Sequence, residues 1–142
     1  MRRPTTSVRA AVAAALAVAF VAGCAPKPTQ LEKYCDVVRQ AEATYDPLAH
    51  PGALGDPTTL RRTLTERVTT LSALAAGAPD AVRADAALVR DRVTTVVNAL
   101  AAKNYVAASA DGDPAVAAVL ADSGFADAAQ RISTFNAGNC AA

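Results

Sequence analysis

Residues 80–101 read DAVRADAALVRDRVTTVVNALA. The stretch is rich in valine, which favours strands and is only a moderate helix former. Spacing decides the matter. Val82, Ala86, Val89, Val93, Val96 and Leu100 return every three or four residues over nearly three heptads, and apolar and polar residues nowhere alternate with period two. The pattern predicts a long helix that starts at Ala78-Pro79-Asp80 and ends near Lys103-Asn104.

The neighbouring segments read the same way. Upstream, Asp56-Pro57 supplies an N-cap followed by a proline at the first helical position. Leu60, Leu64, Val68, Leu71 and Leu74 or Ala75 then form one stripe, and Gly77 is the expected left-handed terminator. Further upstream, Thr29 and Glu32 match a capping box ahead of a helix over about 30–45, whose apolar face is Leu31, Cys35, Val38, Ala41 and Tyr45 with Tyr34 beside it. The segment YDPLAHPGALGDP (45–57) breaks the chain into a loop. Downstream, YVAASADGD (105–113) is a second loop. Asp113-Pro114 opens a short helix through Val116, Val119 and Leu120. Asp122 or Ser123 caps a last one carrying Phe125, Ala128, Ala129, Ile132 and Phe135, which frays into NAGNCAA. The predicted class is all-α: an antiparallel up-and-down bundle of four main helices with one short extra helix, spanning residues 29–142.

The N-terminus has a different character. MRRPTTSVR carries three arginines and no acid, and residues 10–23 are uncharged. Fourteen residues are too few to span a bilayer as a helix, which needs roughly 20. Residues 1–23 therefore read as an export signal. It closes on Val21-Ala22-Gly23-Cys24, which resembles the lipobox of bacterial lipoproteins. That resemblance implies cleavage before Cys24, a diacylglyceryl thioether on its sulfur, and residues 24–28 as a short lipidated tether. Two acyl chains give stable anchoring where one is marginal. The competing reading is an ordinary cleaved signal with a chance cysteine. The expected location is the extracytoplasmic side of the cell membrane, with the membrane itself engaged through the lipid on Cys24.

Removing 23 residues from 142 leaves 119, one domain's worth. Eleven Lys and Arg then face thirteen Asp and Glu, a net charge of −2. Phosphate backbones demand clustered cations, so nucleic acid is excluded as a partner. If Cys24 is the lipidated cysteine that the lipobox resemblance implies, Cys35 and Cys140 remain, and an even pair in an oxidising compartment reads as a disulfide. In an antiparallel bundle the second turn of the first helix and the end of the last lie at the same end, which favours the pairing. The alternative is two inert buried thiols. A helix-borne Tyr34-Cys35, the central LAAGAPDAVRAD (74–85) and the closing AAQRISTFNAGNC (128–140) resemble small exported helical lipoproteins of actinobacteria. The resemblance implies fold and location, and no catalytic residues.

Catalytic signatures are missing from the sequence. His50, the single histidine, lies between Ala49 and Pro51, without the partners that a general base or a metal ligand needs. Asp111-Gly112-Asp113 lacks the remaining ligands of a calcium loop and reads as a turn and a helix cap. No serine sits in a nucleophile elbow, and no phosphate-binding or dinucleotide fingerprint occurs. Arg83, Asp85, Arg90, Asp91 and Arg92 read as a solvated face of the third helix or, in the sharper reading, a partner patch. No cofactor and no metal are expected, and an enzyme is the least favoured reading. The expected role is a membrane-anchored helical interaction or structural module of the cell envelope, with an envelope protein as partner. A lipoprotein binding a small apolar ligand such as a lipid is the alternative. An apolar pocket above about 300 Å³ between the helices would favour the ligand, and an exposed patch over a packed core would favour the partner.

Overall fold

The computed structural model describes residues 27–43 and 55–141. The expected export signal (1–23) and lipidation site (Cys24), together with Tyr45 and His50, lie outside the described residues. Five α-helices follow in order: α1 (Gln30–Ala43), α2 (Pro57–Gly77), α3 (Asp80–Ala101), α4 (Pro114–Leu120) and α5 (Ser123–Asn139). A 3-10 turn, Ala107–Ala110, occupies the loop before α4. Among the described residues there is no strand; the class is all-α.

Local chemistry sets the helix starts. The Thr29 amide donates to Glu32 Oε2 at 2.6 Å, and the Glu32 amide donates to Thr29 Oγ1 at 3.2 Å. This is the reciprocal capping box expected from the sequence. Asp56 accepts from the amides of Thr58 and Thr59, Asp113 from those of Ala115 and Val116, and Asp122 from those of Gly124 and Phe125. Each carboxylate satisfies donors that the first helical turn leaves unpaired.

The α2–α3 boundary differs from expectation. Gly77 is the last helical residue of α2, and Ala78 follows in extended backbone at φ −61°, ψ 133°. Pro79 stops the helix: its ring disfavours helical backbone in the residue before it, so no left-handed glycine is needed. Left-handed backbone appears instead after α3, at Asn104 (φ 54°) and Tyr105 (φ 59°). α3 itself ends at Ala101, slightly earlier than expected. At the other terminus α5 does not fray at Asn136 but runs to Asn139. Tyr34 donates to Asn136 Oδ1 at 3.0 Å, and the Asn139 side chain donates to the Phe135 carbonyl at 2.8 Å.

The four main helices alternate in direction. Gln30 at the start of α1 donates to the Ala78 carbonyl in the α2–α3 turn, Asp85 and Arg131 join α3 to α5, and Arg92 and Asp122 join them further along. α3 is central, packed against α2, α4 and α5. α1 lies against α2 and, less extensively, α5. The core is divided in two. One cluster gathers Tyr34, Cys35, Val38, Ala75, Ala78, Val82, Ala86 and Cys140, and the other Leu60, Leu64, Val97 and Leu100. Three expected core residues lie outside: Leu31 is 37% exposed, Leu120 is 78% exposed and Ala129 is exposed. Leu31 sits level with the Ala78 turn, where the bundle stops. Leu120 lies about 100° around α4 from Val119, off the face that meets α3.

Candidate functional site

Cys35 and Cys140 are joined by a disulfide, with Cα atoms 5.0 Å apart and 105 residues between them in the chain. Both are buried. The bond ties the second turn of α1 to the end of α5. Tyr34, 1% exposed, packs beside it, with its ring edge-to-face on Phe135 at 6.1 Å between centroids. Burial pushes the Tyr34 phenol above its ordinary value, against the opposing effect of its hydrogen bond to Asn136. This end of the molecule is a packed clasp, and it is also where the described chain enters at Lys27.

No cluster of ligating side chains accompanies it. Among the described residues no group of three or more His, Cys, Asp or Glu could hold a metal ion. Asp113 caps α4 as expected. No described helix is long and apolar enough to cross a membrane.

A groove of about 670 Å³ lies at the opposite end, lined by Thr58, Thr59, Arg61, Arg62, Thr65, Glu66 and Tyr105. The first turns of α2 supply all of it except Tyr105, which comes from the turn after α3. Three local causes shape it. Asp56 takes up the Thr58 and Thr59 amides, so the groove offers side chains rather than a bare helix end. The Thr59 hydroxyl also bonds Asp56, which holds that carboxyl below its usual value. Thr65 donates its hydroxyl back to the Arg61 carbonyl at 2.8 Å. Tyr105 is held with its amide on the Leu100 carbonyl at 2.8 Å and its side chain against the second core cluster. Left-handed backbone is a genuine outlier for so bulky a residue and costs on the order of 1–3 kcal/mol.

The arginines divide by helix. Arg39, Arg83, Arg90, Arg92 and Arg131 each form an ion pair with an aspartate. Arg61, Arg62 and Arg67 on α2 form none within 4 Å among the described residues. Asp85 is held below its ordinary value first by the hydrogen bonds from Arg131, and Asp122 first by that from Arg92. Of the α3 charges in the patch suggested by the sequence, Asp85 and Arg92 join α3 to α5, whereas Arg83 and Arg90 pair within α3 with Asp80 and Asp91. The groove itself was not singled out from sequence. Arg61-Arg62 on a helix with three arginines and Glu66 as its one acid was the available signal; the left-handed turn that brings Tyr105 beside them had none.

Two smaller grooves flank α1. One of about 320 Å³ runs between α1 and α2, with Val38, Ala41, Leu71 and Leu74 as its apolar part and Glu42, Arg67, Thr70 and Asn136 as its polar part. The other, about 410 Å³, lies between α1 and α5. No family model, no curated protein and no solved structure matches the chain, so the reading of these surfaces rests on their own geometry and chemistry.

Proposed function

We propose that the chain is an exported bacterial lipoprotein whose helical domain works by contact with another protein at the extracytoplasmic face of the membrane. The sequence supports the anchor: a basic start, an uncharged run and Val21-Ala22-Gly23-Cys24 in sequence. The observation that carries the contact reading is the outer groove with two arginines that form no ion pair within 4 Å among the described residues, beside a packed core. Its placement agrees with a tether. The described chain begins at the clasped end, and Arg61 and Arg62 lie near the other end of α2 (Pro57–Gly77), roughly 20–25 Å from its C-terminus at 1.5 Å per residue.

Labelled palmitate should enter the wild-type protein and not Cys24→Ala, and the variant should leave the membrane fraction. A photo-crosslinker at Thr58 should capture protein in the envelope, whereas one at exposed Asp127 on α5 should not. Palmitate incorporation unchanged by Cys24→Ala would sink the anchor. Equal capture from both positions would sink the contact reading.

One observation favours a second reading. The groove between α1 and α2 is lined by Val38, Ala41, Leu71 and Leu74 together with Arg67 and Glu42, a mixed composition that suits an amphiphile. A fluorescent fatty acid displaced from wild type but not bound by Leu71→Glu would support it.

A further inference from the structure

We infer that the outer groove is a docking site for an extended, acidic segment of a partner protein, with Arg61 and Arg62 as its specificity determinants. The inference rests on the contact reading and names the chemistry that the contact would take.

The Thr59 and Thr65 hydroxyls already donate within the chain, so the two guanidinium groups are the main donors on offer. Each guanidinium presents five N–H groups in a fork that matches a carboxylate, and neither forms an ion pair among the described residues. The Thr58 side chain is exposed in the same wall. Glu66 is the one acid in the lining. Elsewhere on the molecule the pattern is opposite, since each arginine of α1, α3 and α5 is matched with a carboxylate of this chain. The groove therefore sets two neighbouring arginines where a carboxylate from outside can meet them, with the Asp56 cap close enough to Arg62 to feel its charge.

The shape selects a chain rather than a lone ion. Consecutive residues on a helix diverge by about 100°, so Arg61 and Arg62 cannot clamp one carboxylate together and are set to meet two acids spaced along a segment. Tyr105 closes one side with an aromatic wall. Its side chain is braced against the second core cluster, which includes Leu60 and Leu100, and a rigid aromatic of this kind supplies contact area at small entropic cost. The volume of about 670 Å³ falls in the range of binding clefts, about 300–1,000 Å³.

Position separates a protein from a phospholipid headgroup. Both are anionic, but the groove lies at the end of the bundle away from Lys27, where the described chain begins. With Cys24 anchored, the groove would lie at the end of the bundle away from the tether.

The test uses the full mature protein extracted from membranes in a nonionic detergent, and a fluorescein-labelled deca-glutamate peptide as probe. Wild type should bind it, with affinity falling as salt rises. Arg61→Ala/Arg62→Ala should weaken binding at least tenfold. Glu66→Gln should tighten it two- to threefold, and Arg90→Ala, which removes an arginine already paired with Asp91, should leave it unchanged. Circular dichroism melts of each variant verify that the fold is retained. Equal binding by wild type and the double variant would overturn the inference. So would binding to phosphatidylglycerol nanodiscs that depends on Arg61 and Arg62 as strongly as peptide binding does. Envelope crosslinking tells the two levels apart: capture at Thr58 that survives Arg61→Ala/Arg62→Ala removes this inference and leaves the contact reading standing, whereas wild-type capture no greater at Thr58 than at Asp127 removes the contact reading itself.

Discussion

Asp122 accepts the Gly124 amide at 2.9 Å on one carboxylate oxygen and the Arg92 Nε–H at 2.7 Å on the other. One side chain thus starts α5 and fastens it to α3. Asp122→Ala removes both contacts and should lower Tm by several degrees, more than Asp113→Ala, which removes a cap alone; thermal melts at neutral pH make the comparison. Tyr34 is the most buried large side chain, and its phenol is shifted upward by burial. A group whose folded pKa is raised stabilises the fold below its unfolded value, near 10, and that contribution is lost as pH climbs through the folded value. In a spectrophotometric titration, Tyr34 should ionise together with alkaline unfolding. Tyr34→Phe keeps the ring and removes the bond to Asn136, and should cost about 1 kcal/mol by denaturant titration.

α1 depends on its staple more than the other main helices do. Fourteen residues long, it buries Tyr34, Cys35 and Val38 and has a groove on either side. The disulfide crosses 105 residues, for which the chain-entropy account gives up to about 4.7 kcal/mol. Cys35→Ser/Cys140→Ser should therefore lose about 2–5 kcal/mol relative to wild type in oxidising buffer, and nothing relative to reduced wild type. Since both sulfurs are buried, dithiothreitol should reduce the native protein slowly and the urea-unfolded protein fast; equal rates would place the bond on the surface. α5 meets α3 through Ala128, which is fully buried and one turn from Arg131, the partner of Asp85. Only a small residue permits that approach, so Ala128→Leu should destabilise by about 1–3 kcal/mol through overpacking.

At the scale of the whole molecule, acid stability follows from charges that link helices. Asp85 and Asp122 are held low by Arg131 and Arg92, and Asp56 and Glu32 by cap hydrogen bonds. Folded values below the unfolded ones give stability that is present above about pH 4 and lost as pH falls through the folded values. Tm should be flat from pH 7 to about 5 and drop below that; in Arg92→Gln/Arg131→Gln the drop should be shallower. The helices were legible along the chain because caps and apolar spacing act within one or two turns: Thr29 with Glu32, Asp56-Pro57, Asp113-Pro114 and the recurrence from Val82 to Leu100 all lie within local reach. The pairing of Cys35 with Cys140 was legible once alternating helices were assumed. Other features were not. α3 shows one apolar stripe in sequence, yet Val97, off that stripe, is buried, and Val89, Val93 and Val96 are only partly so; its neighbours lie on more than one side, and periodicity cannot say how many partners a helix has. The split core, the aspartates used as ties, and the groove that joins Arg61 and Arg62 to Tyr105 depend on residues far apart in the chain. Local pattern determined which segments are helical and where they begin. Packing decided which faces meet and which charges stay unmatched, because burial and ion pairing depend on what another helix brings across the interface.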